Sequence, residues 1–274
     1  MIKITILADN YTDTMNLCSE HGFSCAIEAA GKRILLDTGQ GMALAHNMDA
    51  LGMKEKFDIA VITHGHYDHT GGLTQAMKKG AALADILYVH HNVFNRHMKR
   101  NVDGSFSFIG FDAAENELEN LYSITKIKGK TEIAENVFLC GDIPRYTEFS
   151  ADQNLFVESD GEFKKDPFDD ELFLAIIDKG ALVIVAGCSH CGIINIVEHT
   201  ERLFPGLRIR SLVGGFHLFR AEGNQISSVA EYLKPKKIDT ILTGHCTGID
   251  AFFKIRNSLG ESVRMTKAGL TEFV

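Results

Sequence analysis

The sequence has no basic stripe: its 274 residues carry 28 Lys and Arg against 36 Asp and Glu, a formal net charge of −8. The cations are scattered and usually neighbour acids, so nothing is laid out to replace the counterions of a phosphate backbone, and nucleic acid is not an expected partner. No apolar run approaches the ~20 residues of a membrane span, so a membrane is not an expected partner either. The start, Met1-Ile2-Lys3-Ile4-Thr5-Ile6-Leu7, alternates like a strand and runs into Asp9-Asn10. It lacks the charged start, long apolar stretch and cleavage site of an export signal. Without such a signal, the six widely spaced cysteines (Cys18, Cys25, Cys140, Cys188, Cys191, Cys246) are expected to be reduced thiols in a cytoplasm. Cys188-Ser189-His190-Cys191 has a CxxC spacing but no partner pair, so a separate zinc ribbon is not expected. There is no internal repeat or low-complexity tract, and no heptad seam to indicate an oligomeric state.

With 45% apolar residues, the chain has enough to bury a sizeable core, and one domain over 1–274 is expected. Strand-like segments recur around 2–8, 23–30, 33–37, 58–63, 86–90, 137–140, 172–178, 182–186, 209–213, 239–243 and 263–266. Helical patterns fall at Met42 to Leu51, Leu73 to Lys79, Ile193 to Phe204, Ser227 to Leu233 and Ile249 to Leu259. Early strands follow one another through short turns such as Ala30-Gly31-Lys32, and later ones alternate with helices. That mixture predicts an α/β fold of two sheets packed face to face with helices outside, a four-layer αββα sandwich. Residues about 91–130 and 148–170 do not fit the repeat and read as insertions, either loops over a site or plain surface additions.

Four apolar runs end on histidine. Thr63-His64-Gly65-His66-Tyr67-Asp68-His69 closes the first, and the others run into Gly187-Cys188-Ser189-His190, Gly214-Gly215-Phe216-His217 and Gly244-His245. Ligands gather at strand carboxyl ends in α/β sheets, so these histidines are expected to share one rim. Imidazoles at i and i+2 face one ion, while Asp68 and His69 reach a second a few ångströms away. Packing has no use for three histidines and an aspartate after a buried strand.

The HxHxDH signature, followed by Thr70-Gly71-Gly72-Leu73, resembles the metallo-β-lactamase fold superfamily over essentially the whole chain. The resemblance implies that His64 and His66 bind a first divalent metal, and that Asp68, His69 and His245 bind a second. Zinc is the expected metal, with manganese or iron as alternatives. It also implies that Asp37, ending Ile34-Leu35-Leu36, orients the histidine loop from behind the ligands. Two positions depart from the common pattern. Where a third first-site histidine is usual, the chain reads Cys140-Gly141-Asp142, making Asp142 a possible replacement. Where a bridging aspartate is usual, it reads Cys188-Ser189-His190. Either Cys188 occupies the bridging place or His190 supplies the ligand; His190 is preferred because imidazole needs no thiolate activation.

Longer strings resemble one branch of the superfamily, that of 7,8-dihydropterin-6-methyl-4-(β-D-ribofuranosyl)-aminobenzene-5′-phosphate synthase. They include Leu36-Asp37-Thr38-Gly39-Gln40, Ile143-Pro144-Arg145, Gly187-Cys188-Ser189-His190-Cys191-Gly192, Gly214-Gly215-Phe216-His217-Leu218 and His245-Cys246-Thr247-Gly248. The implied reaction joins a dihydropterin methyl diphosphate to an arylamine ribose phosphate and expels diphosphate. The expected partner is accordingly a small phosphorylated or diphosphate-bearing molecule, with Asp68 and His217 catalytic and Arg145 and His217 contacting substrate. Asn10, Glu20 and His21 read more simply as satisfied polar turn residues. Hydrolysis of a phosphoester, thioester or lactone uses the same ligands and is the alternative. A di-iron oxidoreductase is disfavoured because no flavodoxin-like extension follows, and a non-catalytic module because the core metal positions are all present.

Overall fold

A computed structural model of the chain describes residues 1–148 and 152–274. The chain opens with β1 (Lys3–Ala8), β2 (Ser24–Ala29), β3 (Lys32–Leu36), α1 (Ala43–Ala50), β4 (Phe57–Val61), α2 (Tyr67–Lys78) and β5 (Ala84–His90). β6 (Arg96–Arg100), β7 (Phe106–Phe108), α3 (Glu115–Glu119), β8 (Ser123–Ile127), β9 (Lys130–Ala134) and β10 (Val137–Cys140) follow. Next come β11 (Leu155–Ser159), β12 (Glu162–Lys165), β13 (Phe173–Asp178), β14 (Ala181–Ala186), α4 (Ile193–Leu203) and β15 (Arg208–Val213). The chain closes with α5 (Gly223–Leu233), β16 (Thr240–Thr243), α6 (Ile249–Leu259), β17 (Val263–Met265) and β18 (Thr271–Phe273).

Two seven-stranded sheets form, in the orders β18-β1-β2-β3-β4-β5-β8 and β17-β16-β15-β14-β13-β10-β9. Alternation along each strand decides which layer a side chain enters. Ile4, Ile6, Val61, Leu174, Ile176, Val183 and Val185 point inward and fill the seam between the sheets. Their neighbours point outward: Leu7, Leu35 and Leu87 pack with Leu44 of α1, Leu73 of α2 and Leu118 of α3. On the far side, Phe173, Leu182 and Ile184 meet Ile196 of α4, Val229 of α5 and Phe252 of α6. Strands buried on both faces therefore read as continuous apolar runs, each fully buried Leu, Ile or Val contributing roughly 1.5–3 kcal/mol. The result is the four-layer αββα sandwich, with parallel pairing from β3 to β8 and from β14 to β17.

The stretches 91–130 and 148–170 carry more regular structure than their sequences suggest. β8 extends the first sheet, while β6 and β7 pair with β11 and β12 in a separate four-stranded sheet ordered β12-β11-β6-β7. The two stretches thus meet through the β6–β11 pairing, Leu155 opposite Lys99 and Val157 opposite His97. Residues 149–151 of the second stretch lie outside the described residues. All six cysteines are free thiols. No helix among the described residues is long and apolar enough to cross a membrane.

Candidate metal centre

β4, β14, β15 and β16 deliver His64, His190, His217 and His245 from their carboxyl ends, one from the first sheet and three from the second. The strands stop abruptly there. Asp37, Ser189, His217 and His245 all adopt left-handed backbone, at φ of 55°, 57°, 49° and 44°. Such turns are costly for residues with a Cβ and persist where surrounding contacts over-determine them. Close approach is needed as well: a Cβ on Gly187 would meet Thr63 Oγ1 at 2.2 Å, and one on Gly215 would meet Cys246 Sγ at 2.4 Å.

Asp37 organises the first histidine loop. Its carboxylate accepts the Thr63 backbone N–H at 2.7 Å and the Thr63 hydroxyl at 2.7 Å, and lies 2.7 Å from His69 Nδ1. A hydroxyl has one proton, and Thr63 gives it to Asp37, so Thr63 Oγ1 accepts from His64 Nδ1 at 3.0 Å. His245 Nδ1 is held in the same way by Asn10 Oδ1 at 2.9 Å. These bonds place the proton of three imidazoles on Nδ1 and leave the Nε2 lone pairs facing one another.

The freed nitrogens cluster. His64, His66 and His190 offer ligand atoms within 4.8 Å of one another, as do His21, Asp68 and His245. Asp68 Oδ2 stands 3.3 Å from His21 Nε2, 3.4 Å from His245 Nε2 and 3.8 Å from His69 Nε2. Cys188 lies between the two sets, its Sγ 3.1 Å from His69 Nε2, and joins convergent groups with His64 and His69, with His190 and His217, and with His245 and Cys246. His64 Nε2, His66 Nε2 and both ring nitrogens of His190 and His217 are buried without a hydrogen-bond partner. Buried polar atoms are seldom left so, and a convergent set of imidazole lone pairs beside a carboxylate and a thiol is the donor set of a divalent metal. The residues present therefore fit the metals that the resemblance implies.

Protonation of four of these groups agrees with that fit. Burial, then the neighbouring His69 and His66, hold His64 well below its usual range, and burial with His217 does the same to His190. Burial and His97 push His66 down to about 3. Burial works against the Asp68 anion, but His69 and His245 outweigh it and keep its carboxyl well below the ordinary value. Ligands of a metal must be deprotonated, as His64, His66, His190 and Asp68 are. His245, where burial is outweighed by Cys246 and Asp68 so that it is raised to about 9, and the Cys188 thiol, pushed up by burial, would release their protons on metal binding.

The structure thus brings His64, His66, Asp68, His69, His190 and His245 together, with Asp37 behind them. Cys188 and His190, posed as alternatives, both enter the cluster. Asp142 instead has its side chain 53% exposed, its carboxylate 3.4 Å from His90 Nε2. Arg145 reaches the cavity beside His190, but its terminal nitrogens donate to the carbonyls of Ile143 and Pro167. Asn10 and His21 prove to be part of the centre's surroundings. Glu20 caps α1, its carboxylate accepting N–H groups of Gly41, Met42 and Ala43 at 3.0, 2.7 and 3.0 Å.

Several functional neighbours escaped the reading of the sequence. Asp170 accepts the Gly65 N–H at 2.7 Å and Glu171 accepts those of His190 and Cys191, both at 2.7 Å, so two adjacent acids lock the two ligand loops. His97 packs against His66 with ring centroids 5.0 Å apart, bound at Nδ1 to Asp166 at 2.7 Å and with Nε2 3.3 Å from Asp170. Burial opposes its charge, but Asp170 and Asp166 prevail and raise it to about 10. The acid run Asp169-Asp170-Glu171 directly before an apolar strand was the available signal.

Three cavities meet at the cluster. A small one of about 100 Å³ lies over it, lined by His66, Asp68, Cys188, His190, His217 and Lys99 among others. A polar cavity of about 500 Å³, containing Arg145 and Lys165, shares His190 and His217 with it. An apolar cavity of about 520 Å³ shares His21, Phe219 and Cys246. Lys99 forms no ion pair among the described residues.

Residues 21–245 match the family model of the metallo-beta-lactamase superfamily. An uncharacterised protein of Methanocaldococcus jannaschii is 34% identical over 254 residues, 92% of this chain and 93% of that protein. The 7,8-dihydropterin-6-methyl-4-(beta-D-ribofuranosyl)-aminobenzene-5'-phosphate synthase of the same organism is 29% identical over 280 residues, 98% of this chain and 95% of that enzyme. Among solved structures, a metal-dependent hydrolase of the beta-lactamase superfamily superposes with a TM-score of 0.85 at 29% identity, covering 100% of this chain and 99% of that one.

Proposed function

This chain belongs to the metallo-beta-lactamase superfamily, and we propose that it is a two-metal enzyme of small phosphorylated substrates, a transferase that expels diphosphate, the reaction that its resemblance to the pterin-synthase branch implies. The observation that carries the reading is Lys99, a cation without an ion pair among the described residues, lining the small cavity over the converging histidines. An ammonium without an ion pair among the described residues, in the cavity over a metal cluster, can receive an anion, and a diphosphate is one that both the lysine and the metals favour. The centre is held by His64, His66 and His190 on one side and Asp68, His69 and His245 on the other, with Cys188 between. Metals bound there supply Lewis-acid neutralisation of the leaving diphosphate.

The chain's own residues do the rest. Lys99 holds phosphate oxygens while the amine nitrogen of the acceptor bonds to the methylene carbon and the carbon–oxygen bond to diphosphate breaks. The proton released by the amine passes to His217, which lines the small cavity over the cluster. Asp170 and Glu171 keep the two ligand loops in place, and burial of the histidines excludes competing water.

Hydrolysis of a phosphoester, thioester or lactone is the second reading, favoured by the metal-dependent hydrolase at 29% identity. Incubating the metal-loaded protein with a dihydropterin methyl diphosphate, with and without a ribosyl aminobenzene phosphate, separates the two by mass spectrometry. The transferase reading expects a condensed product only when both are present, with KM for the diphosphate raised at least about tenfold in Lys99→Ala and partly restored in Lys99→Arg. Diphosphate or phosphate release without any need for the arylamine would establish the hydrolase instead.

A further inference from the structure

The apolar cavity of about 520 Å³ is an unusual companion for a metal centre. Its walls are Tyr11, Phe219, Ile249, Phe252, Phe253 and Met265, and its floor is His21 and His245. Tyr11, Phe219, Ile249 and Phe253 are 49%, 47%, 66% and 53% exposed, a concentration of large apolar side chains left in contact with water at one place. The wall opens on the cluster rather than on bulk surface alone, since His21, Phe219 and Cys246 also line the small cavity that holds Lys99.

Most side-chain polar atoms of the Asp9–Asn10 wall of this cavity are already engaged, and the Tyr11 hydroxyl is the polar group left at its rim. Asn10 Oδ1 accepts from the Gly22 N–H at 3.1 Å and pairs with His245 Nδ1, while Asn10 Nδ2 lies 3.4 Å from His21 Nδ1. Asp9 accepts the Thr266 hydroxyl at 2.7 Å. A heterocycle with a dense donor and acceptor edge, such as a pterin, would bury that edge where too few free polar groups remain to pair with it, and unpaired polar groups are penalised on burial. A benzenoid ring has no such edge and gains from aromatic walls.

We infer that this cavity is the subsite for the benzenoid ring of an arylamine acceptor, which presents its amine toward the metal cluster past His21 and Phe219. The inference rests on the transferase reading for its role in catalysis, but ring binding is measurable without turnover. The polar cavity on the opposite side, beyond His190 and His217, is left for the donor, so that the two substrates approach the centre from opposite ends.

The test is fluorine NMR of 4-(trifluoromethyl)aniline with the metal-loaded full chain, with 4-methylaniline and 6-hydroxymethylpterin as competitors. The inference expects broadening of the fluorine signal, displacement by 4-methylaniline and not by the pterin, and affinity at least tenfold weaker in Phe253→Ala and in Phe219→Ala. Phe273→Ala, on the distant β18, controls for general surface effects, and the circular dichroism of each variant shows that it folds. Absence of broadening, displacement by the pterin at comparable concentration, or equal affinity in the two cavity variants would overturn the assignment. Ring binding that follows the expected pattern in a protein that forms no condensed product would leave the subsite standing and remove the transferase reading alone.

Discussion

Asp37 holds three groups at once, the Thr63 amide, the Thr63 hydroxyl and His69 Nδ1. Its substitution therefore reaches two ligands, His69 directly and His64 through Thr63. Asp37→Asn is expected to weaken metal affinity by about 10–100-fold. Isothermal titration of metal into the apo variant reads this, and an unchanged affinity would remove Asp37 from the centre. His97 gives a second expectation, with its sign set by linkage. Its folded value, raised to about 10, lies above the ordinary one of 6.5, so the folded chain keeps a proton that the unfolded chain releases. The stabilisation is complete below about pH 6.5 and is lost as pH rises toward about 10, by at most about 1.4 kcal/mol per pH unit. Denaturant midpoints of the apo protein should fall across that window, and His97→Gln should flatten this slope; an identical slope in the variant would contradict the paired cation.

At the scale of elements, the segment that enters β13 acts as a clamp. Asp170 fixes Gly65, Glu171 fixes His190 and Cys191, and the Leu172 N–H donates to Thr63 O at 2.7 Å, so three consecutive residues join the ligand loops of both sheets. Glu171→Ala strands two buried N–H groups. It is expected to destabilise the fold by about 2–4 kcal/mol and to lower metal occupancy, read by urea unfolding and elemental analysis of one preparation. A stability change below about 0.5 kcal/mol would place the clamp elsewhere. Elements of this kind differ in how plainly a sequence announces them. β14 and the carboxyl-terminal residues of β4, β15 and β16 are apolar runs closed by a turn and a histidine, because burial on both faces there leaves no room for polar alternation, and their ligands could be read directly. β6, Arg96-His97-Met98-Lys99-Arg100, is mostly charged because its small sheet has little core to fill, and so His97 and Lys99 stayed hidden within an apparent insertion. Asn10 was equally opaque, since its role depends on His245, a contact across 235 positions.

Across the whole molecule, the centre sits on the seam between the two sheets, taking His64, His66, Asp68 and His69 from one and His190 and His245 from the other. Metal binding consequently ties the sheets together, and its free energy adds to that of folding. At a metal concentration about 100 times its Kd the gain is about 2.7 kcal/mol, or a rise in Tm of roughly 5–10 °C for a chain of this size, reversed by chelator. The same placement accounts for the cavities, polar on one flank and aromatic on the other, each sharing lining residues with the small cavity over the cluster. The most direct test of this account is metal stoichiometry, by equilibrium dialysis of the apo protein against zinc and, separately, manganese, followed by elemental analysis. The account predicts two equivalents in the native chain and a loss of about one equivalent in Asp68→Asn and in the His64→Ala, His66→Ala double variant. Fewer than one equivalent in the folded native protein, or an unchanged count in both variants, would contradict it.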